Sequence, residues 1–443
     1  MPGLAGGQSP ETLAWEALAQ RVDDQAAEIG WLRAQIAGSD RSAAAFVPLS
    51  CNASCDEGPK LRHLPVVAES CPNARCASDG NLGYHTIRYA VNYDQGLVIR
   101  AFCPEQHPFE LTINAWMQMR HHGFDRDVAT WTDNAGVTRP VASRNAFDIE
   151  RARLVLAGQA WDRRLQYFIQ LDGDTDGGHL VDFFDHWWGW QFSDSLLVQL
   201  GKRKVPASRQ WLLGARRTRL IDRPMATDFF RPDRTVGLFA VGTLGEHSHW
   251  EAMVGNGYRT ANLPNDETDN QLTFAATNYY EPLGVFGGNP VDYDFTCEPL
   301  VRIGHSFVYS PQSPDPSGAP FPEADFLRLS DGTILTQIGA LTPGVTVSEF
   351  DIYYYSVDLA AKWLGWSVDA EVYLRWLEQI AGDGPLSVTD ILQRGFYVEG
   401  GRFLIPGRLD VNVRYSQVSG LLGNASEIAA GVNWYPRATE RLK

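Results

Sequence analysis

The sequence predicts an all-β fold, an antiparallel transmembrane β-barrel preceded by a short N-terminal coiled-coil helix. Three observations predict it. Fourteen segments alternate apolar and polar residues with a period of two. Most of them have the roughly 9–11 residues that a tilted strand needs to cross a bilayer. Long polar connections also alternate with tight turns along the chain, as in outer-membrane barrels. No run approaches the ~18 apolar residues of a transmembrane helix, so a membrane crossing would require strands.

The first predicted element is a helix at residues 11–37, inside an N-terminal region that we place at 1–42. Its seam residues recur at alternating steps of three and four, which is the pattern of a coiled coil. They are Trp15, Leu18, Val22, Gln25, Ile29, Leu32 and Ile36. Three heptads are marginally stable alone, so this helix is expected to associate with its copies. The alternative is one amphipathic helix lying on a domain.

Residues 43–107 are predicted to be a linker followed by a cysteine-rich periplasmic segment. The six cysteines of the chain are Cys51, Cys55, Cys71, Cys76, Cys103 and Cys297. Their even number and their crowding favour disulfides in an oxidising compartment. A zinc site that also uses His63 is the alternative, although the spacings are loose for zinc. The N-terminal MPGLAGGQSP has neither the charged nor the apolar region of a signal peptide, which counts against export as written.

The barrel is predicted to occupy residues 108–443, with about fourteen strands. They lie near 109–122, 147–158, 163–173, 180–191, 195–202, 234–243, 247–256, 271–280, 299–309, 349–360, 366–376, 391–403, 407–417 and 427–435. In the thirteenth, Leu409, Val411 and Val413 alternate with Asp410, Asn412 and Arg414. A continuous polar face is too costly to bury in a dry core, so we expect it to line water.

Residues 201–223 form a basic run that contains eight cationic residues and one acidic residue, Asp222, in a chain of net charge −15. The run also contains apolar Trp211 and Leu212. We expect the loop 203–233 to fold into the barrel, bury these apolar residues and present its cations to passing anions. The alternative is a solvated basic loop against lipopolysaccharide phosphates. The expected anion-binding, pore-lining residues are Arg151, Arg153, Lys202, Arg203, Lys204, Arg209, Arg216, Arg217, Arg219 and Arg223.

Other chemistry is not indicated. A net charge of −15 and a pI near 5.1 argue against a general nucleic-acid partner. The sequence holds no G-x-S-x-G, no H-E-x-x-H and no phosphate-cradling glycine loop. We therefore expect no enzyme activity, no cofactor and no metal centre.

Several stretches resemble the phosphate-selective porin O/P family. They include PFELTINAWMQMRHHGF (108–124), FDIERARLVLAGQAWDRRLQYFIQLDGD (147–174), LLVQLGKRKVPASRQ (196–210) and GFYVEGGRFLIPGRLDVNVRYSQVSG (395–420). The resemblance implies a 16-stranded trimeric outer-membrane channel, often with a short N-terminal coiled coil. It also implies a basic constriction built partly from the loop 203–233.

The resemblance extends to individual basic residues. Arg151 and Arg153 match a basic strand pair that faces the lumen in the family. Three more residues match the approach to the constriction: Lys202, Arg203 and Arg209. The family continues with two strands beyond Trp434 and Tyr435, whereas this chain ends at PRATERLK. The last two strands are therefore expected to be missing, unless the barrel closes at fourteen.

The sequence thus predicts a passive porin of the bacterial outer membrane, with its coiled coil in the periplasm. Its expected partners are two further copies in a homotrimer, membrane lipid and lipopolysaccharide, and permeating anions such as phosphate. The first alternative is a structural envelope protein that anchors the outer membrane to the cell wall through the coiled coil. The second is a soluble all-β carbohydrate enzyme or lectin.

Overall fold

A computed structural model describes residues 89–93, 96–102, 104–175, 181–260, 262–437 and 442–443. Within them, one antiparallel sheet of sixteen strands follows the order of the chain, and a separate two-stranded sheet, β4–β5, lies in one of its connections. The predicted coiled-coil helix at 1–42 lies outside the described residues. So do five of the six cysteines, with only Cys297 described, at an exposed position.

The first nine strands are β1 (Tyr89–Tyr93), β2 (Leu97–Ala101), β3 (Phe109–Phe124), β4 (Thr130–Thr132), β5 (Thr138–Pro140), β6 (Arg144–Ala160), β7 (Asp162–Asp172), β8 (Asp182–Ser193) and β9 (Leu196–Lys204). The remaining strands are β10 (Arg234–Leu244), β11 (Ser248–Gly255), β12 (Thr273–Tyr280), β13 (Leu300–Gln312), β14 (Val347–Trp363), β15 (Trp366–Gly382), β16 (Ile391–Ile405), β17 (Leu409–Gly420) and β18 (Gly423–Trp434).

Each of the fourteen predicted strands is confirmed, as β3 and β6 to β18. The sheet reaches sixteen strands through β1 and β2, not through a continuation beyond Trp434. Both extra strands are only five residues long and precede residue 108, where the barrel was predicted to begin. The division of the chain at residues 42 and 107 stays a prediction.

The two faces of the sheet have opposite polarity, as β17 illustrates. Asp410, Asn412 and Arg414 are between 1% and 6% exposed, whereas Val413 and Tyr415 are 65% and 39% exposed. A soluble sandwich would bury the apolar face instead. The inward polar face and outward apolar face predicted from the alternation are therefore confirmed on this strand.

The connections differ in length between the two edges of the sheet. The connections after β3, β9, β11 and β13 are long. They all leave from the same end of the strands, because consecutive strands of the sheet are antiparallel. At the opposite edge tight turns join β6 to β7, β10 to β11, β14 to β15 and β16 to β17. This asymmetry between long loops and short turns agrees with the sequence prediction, with two exceptions. The connection from β12 to β13 is long, and β17 is joined to β18 by a tight turn.

The helical elements are short. The described residues form two α-helices, α1 (Arg209–Leu212) and α2 (Met225–Phe230). No helix among the described residues is long and apolar enough to cross a lipid bilayer.

The main buried apolar cluster lies where the loops meet the polar face of the sheet. It joins Phe230 and Leu335 from the loops to Tyr354 and Tyr373 from β14 and β15, and each of these side chains is fully buried. Phe230 and Tyr373 stack with ring centroids 5.3 Å apart. Loops that fold inward therefore supply the core that the polar face could not supply alone.

Candidate functional site

Residues 205–233 connect β9 to β10 and are called the inner segment here. The hydroxyl of Ser208 caps α1 by accepting a hydrogen bond from the Trp211 backbone N–H at 3.2 Å. Trp211 is 2% exposed and Phe230, in α2, is fully buried. Of the two apolar residues that the sequence predicted to be buried, Trp211 is buried and Leu212 is half-buried.

Two arginines of the inner segment are bound to one carboxylate on β15, a group called the anchor here. Arg209 and Arg219 both form ion pairs with Asp369, and all three side chains are at most 5% exposed. Arg219 also donates from Nη1 to Ser367 Oγ at 2.6 Å and from Nη2 to the Pro290 carbonyl at 2.7 Å. Burial lowers the pKa of the Arg219 guanidinium to about 10, so it stays charged at neutral pH.

Neighbouring strands reinforce this attachment. The Glu371 carboxylate accepts the Arg209 and Gln210 backbone N–H groups, at 3.1 and 3.3 Å, at the start of α1. Arg414 on β17 donates to the Asp222 carbonyl at 2.9 Å, and Asn433 on β18 donates to the Arg219 carbonyl at 2.8 Å. The inner segment is thus tied to β15, β17 and β18. In the strand order these lie far from β9 and β10, the two strands that flank the segment.

A cavity of about 470 Å³, the basic cavity, lies between the inner segment and the strands from β3 to β11. Its lining contains six cationic side chains and two carboxylates. The cations are Arg153, Arg203, Lys204, Arg216, Arg217 and Arg234, and the acids are Asp185 and Glu251. The lining is therefore strongly positive although the whole chain is negative.

Several of these cations are held by named partners. Arg153 pairs with Asp172 at 2.9 Å, Arg203 with Glu251 at 3.1 Å, and Arg234 with Asp185 at 2.9 Å. Lys204 donates to the carbonyls of Trp211 and Leu213, at 2.7 and 3.2 Å, at the end of α1. These contacts fix where the charges stand around the cavity.

Arg216 and Arg217, the boundary pair, lie between two cavities. A second cavity of about 300 Å³ shares them with the basic cavity, together with Asn114 and Trp116 on β3. The Arg216 guanidinium lies 5.6 Å from the centre of the Trp116 ring. The Arg217 guanidinium rests on Gly288, where any Cβ would collide with it. Both arginines are exposed, unlike those of the anchor.

The predicted pore-lining residues therefore separate into groups. Arg153, Arg203, Lys204, Arg216 and Arg217 line the basic cavity. The other five are held elsewhere: Arg151, Lys202, Arg209, Arg219 and Arg223. Among these, Lys202 donates to the Phe183 carbonyl at 2.6 Å, and Arg223 donates to the Leu213 carbonyl at 2.8 Å. Which of the ten residues bind anions stays a prediction.

Sequence reasoning missed three charged residues of the cavity. Arg234 follows the inner segment directly, but it lies beyond the basic run and was not selected. Nothing in the sequence distinguishes Asp185 and Glu251 from other acidic residues, apart from their positions on β8 and β11. The register indicates part of the arrangement, because Arg234 is the Cα partner of Lys204 in the β9–β10 pair. No group of three or more His, Cys, Asp or Glu residues could hold a metal ion anywhere in the described ranges.

Comparison with known proteins gives a family and several solved structures. The family model described as "Phosphate-selective porin O and P" matches residues 129–443. A loop-deletion mutant of OmpT from Vibrio cholerae is 12% identical, with a TM-score of 0.46 over 74% of this chain and 90% of its own. The anion-selective porin from Comamonas acidovorans is 10% identical, with a TM-score of 0.45 over 73% of this chain and 83% of its own. No curated protein matches the chain.

Proposed function

The chain belongs to the phosphate-selective porin O and P family of the bacterial outer membrane, and we propose that it conducts small anions, phosphate among them, by passive diffusion. The observation that carries this proposal is the basic cavity. Its lining contains six cationic side chains and only two carboxylates, in a chain whose net charge is −15. Such a lining attracts anions, and exposed arginines bind them reversibly enough to release them again.

The boundary pair is the proposed constriction. Arg216 and Arg217 border both cavities, so a solute that moves from one cavity to the other passes these two guanidinium groups. The anchor holds the inner segment in place while leaving the boundary pair in water. This arrangement supports a fixed basic eyelet, because the charges do not need to be ordered when an anion arrives.

The sheet is proposed to close as a barrel. Tyr93, at the end of β1, and Tyr435, directly after β18, line the same second cavity. In the loops, Asn134 after β3 donates to the Ala340 carbonyl after β13 at 2.9 Å. A cavity that is bordered by residues from both ends of one sheet favours a curled over an open form. Closure would also remove unpaired strand edges, which are unfavourable in lipid.

The outward apolar face is proposed to contact membrane lipid and, at the loop edge, lipopolysaccharide. A homotrimer is proposed on the family resemblance. The periplasmic coiled coil and its link to the cell wall, on which the structural-anchor alternative depends, fall outside the described residues. They stay predictions.

The test is ion selectivity in planar lipid bilayers. The purified full-length protein is expected to give an anion-selective reversal potential under a potassium chloride gradient. Replacing both boundary residues, Arg216→Glu and Arg217→Glu, changes the local charge by four units and is expected to reverse the sign of that potential. Phosphate currents should fall in the same variant.

The matched control is a second pair of adjacent exposed arginines. Arg163→Glu and Arg164→Glu make the same charge change at the start of β7, where neither residue lines a cavity. Their side chains are 48% and 59% exposed. This variant should keep the wild-type selectivity. Cation selectivity in the wild type would refute the anion proposal, and an unchanged potential in the boundary variant would remove these two residues from the constriction.

A further inference from the structure

Two carboxylates lie close together between the β11–β12 and β13–β14 connections, away from the basic cavity. Asp269 is 9% exposed and Glu323 is 2% exposed. The Asp269 backbone N–H donates to Glu323 Oε2 at 3.3 Å. Asp269 Oδ2 accepts from the Ser313 N–H at 2.8 Å, and Oδ1 accepts from the Gln271 N–H at 2.8 Å. No cationic side chain pairs with either carboxylate in the part of the chain that is described.

A second observation concerns oxygen atoms that have no hydrogen-bond donor. Glu323 Oε1 is buried without a partner, and so is Oε1 of Gln312, whose residue is 3% exposed. The Gln312 amide nitrogen is used, since it donates to Ser310 Oγ at 3.3 Å and to the Pro311 carbonyl at 3.1 Å. The side chain lies beside the Glu323 carboxyl group. An amide oxygen and a carboxylate oxygen are therefore both available at one buried point.

The chemistry of this group fits a hard divalent cation. Two buried carboxylates repel each other and lose their hydration, so they require a positive partner. All the unsatisfied atoms are oxygens, which suits Ca²⁺, with its six to eight oxygen ligands and flexible geometry, better than a transition metal. Mg²⁺ demands a near-ideal octahedron and dehydrates reluctantly, so it suits a site of loop residues less well.

We propose that Asp269, Gln312 and Glu323 form a calcium site that ties the β11–β12 loop to the β13–β14 loop. Together they offer up to five side-chain oxygens, and water would complete the shell. Gly257 borders the site, where a Cβ would lie 3.1 Å from Glu323 Oε2, so the glycine leaves room beside the carboxylate. The site is independent of conduction, because none of its residues lines either cavity.

The experiment is a calorimetric titration of the full-length protein, refolded in detergent without lipopolysaccharide and freed of metal with EDTA. Calcium chloride is expected to bind at one site per chain and to raise the thermal unfolding temperature. Glu323→Gln keeps the shape but removes one charge, and it should weaken binding at least tenfold. Asp266→Asn is the matched control, since Asp266 is an exposed acid in the same loop and should not affect the titration.

Three results would overturn the proposal. The wild type could show no saturable calcium heat, Glu323→Gln could bind as tightly as the wild type, or magnesium chloride could bind equally well. If Glu323→Gln raises the thermal stability and the wild type does not bind calcium, the carboxyl groups of Asp269 and Glu323 share a proton instead of a metal ion. Bilayer conductance of the same samples separates this failure from a failure of the porin proposal, because a conducting protein without calcium binding contradicts the metal site alone.

Discussion

The anchor and the boundary pair use the same type of side chain, within eleven residues of each other, for opposite purposes. Arg209 and Arg219 are buried and form ion pairs with Asp369, whereas Arg216 and Arg217 are exposed between two cavities. A buried, paired arginine offers no hydrogen-bond donors to a solute. The number of arginines in a porin loop therefore does not measure the affinity of that loop for anions. What matters is which guanidinium groups are exposed to a solute and which are buried in ion pairs within the protein.

The largest expected effect comes from removing the carboxylate of the anchor. Asp369→Asn removes the carboxylate that Arg209 and Arg219 share and leaves Arg219 with the longer ion pair to Glu399, at 3.7 Å. This loss should destabilise the fold by about 3–5 kcal/mol. The melting temperature in detergent, followed by circular dichroism, should fall by roughly 3–5 °C for a chain of this length. Asp390→Asn, at an exposed position before β16, is the control and should melt like the wild type. Equal melting temperatures for both variants would show that the anchor does not stabilise the segment.

A smaller effect separates the two regions within one pair of variants. Arg219→Gln removes a buried charge and should cost about 3 kcal/mol of stability. Arg217→Gln should change stability by less than about 0.5 kcal/mol, because the side chain is exposed. Selectivity should respond the other way round. Loss of one charge near the passage is worth about 1 kcal/mol in water, so Arg217→Gln should lower the anion-to-cation permeability ratio up to about fivefold.

The selectivity of the Arg219→Gln and Arg217→Gln variants is compared only between properly folded channels. Folded Arg219→Gln channels, identified by their heat-modifiable migration in SDS gel electrophoresis, should retain most of the wild-type permeability ratio. If they lose more selectivity than Arg217→Gln channels, the anchor acts on ions directly, and the distinction between the two regions does not hold.

The smallest expected effect is on salt dependence. The screening length is about 10 Å at 0.1 M salt and about 3 Å at 1 M, so the exposed boundary pair should attract anions less at high salt. The permeability ratio, measured at a constant concentration gradient, should therefore decline as the mean potassium chloride concentration rises. The melting temperature should change little over the same range, because the anchor is buried. A ratio that is independent of salt would point to selection by size instead of charge.

Much of the fold could be predicted from the sequence, since alternation with a period of two identifies strands of nine or more residues. It did not identify β1 and β2 as strands of the sheet, because five residues allow too few alternations to stand out. The opposite polarity of the faces was also predictable, as Asp410 and Val413 show. The inward position of Asp410 and the outward position of Val413 follow from their alternation along the strand alone.

The organisation of the site was less predictable. Arg209, Arg216 and Arg219 occur in one basic run, and nothing local distinguishes them. Their separation depends on Asp369, which lies 150 residues or more further along the chain and reaches the inner segment only through the folded sheet. Every inward acid looks alike in the alternation, so the sequence indicates a basic loop without indicating which of its charges is neutralised.

The attachment of the inner segment to β15, β17 and β18 gives the two walls of the passage different evolutionary freedom. Substitutions on the attached wall disturb buried ion pairs, and selection for folding would remove most of them. On the opposite wall, the ion pair of Arg203 with Glu251 is more accessible, with side chains 17% and 26% exposed. Relatives of this chain can therefore acquire new solute preferences through changes at such partly exposed pairs, at a smaller cost in stability than on the attached wall.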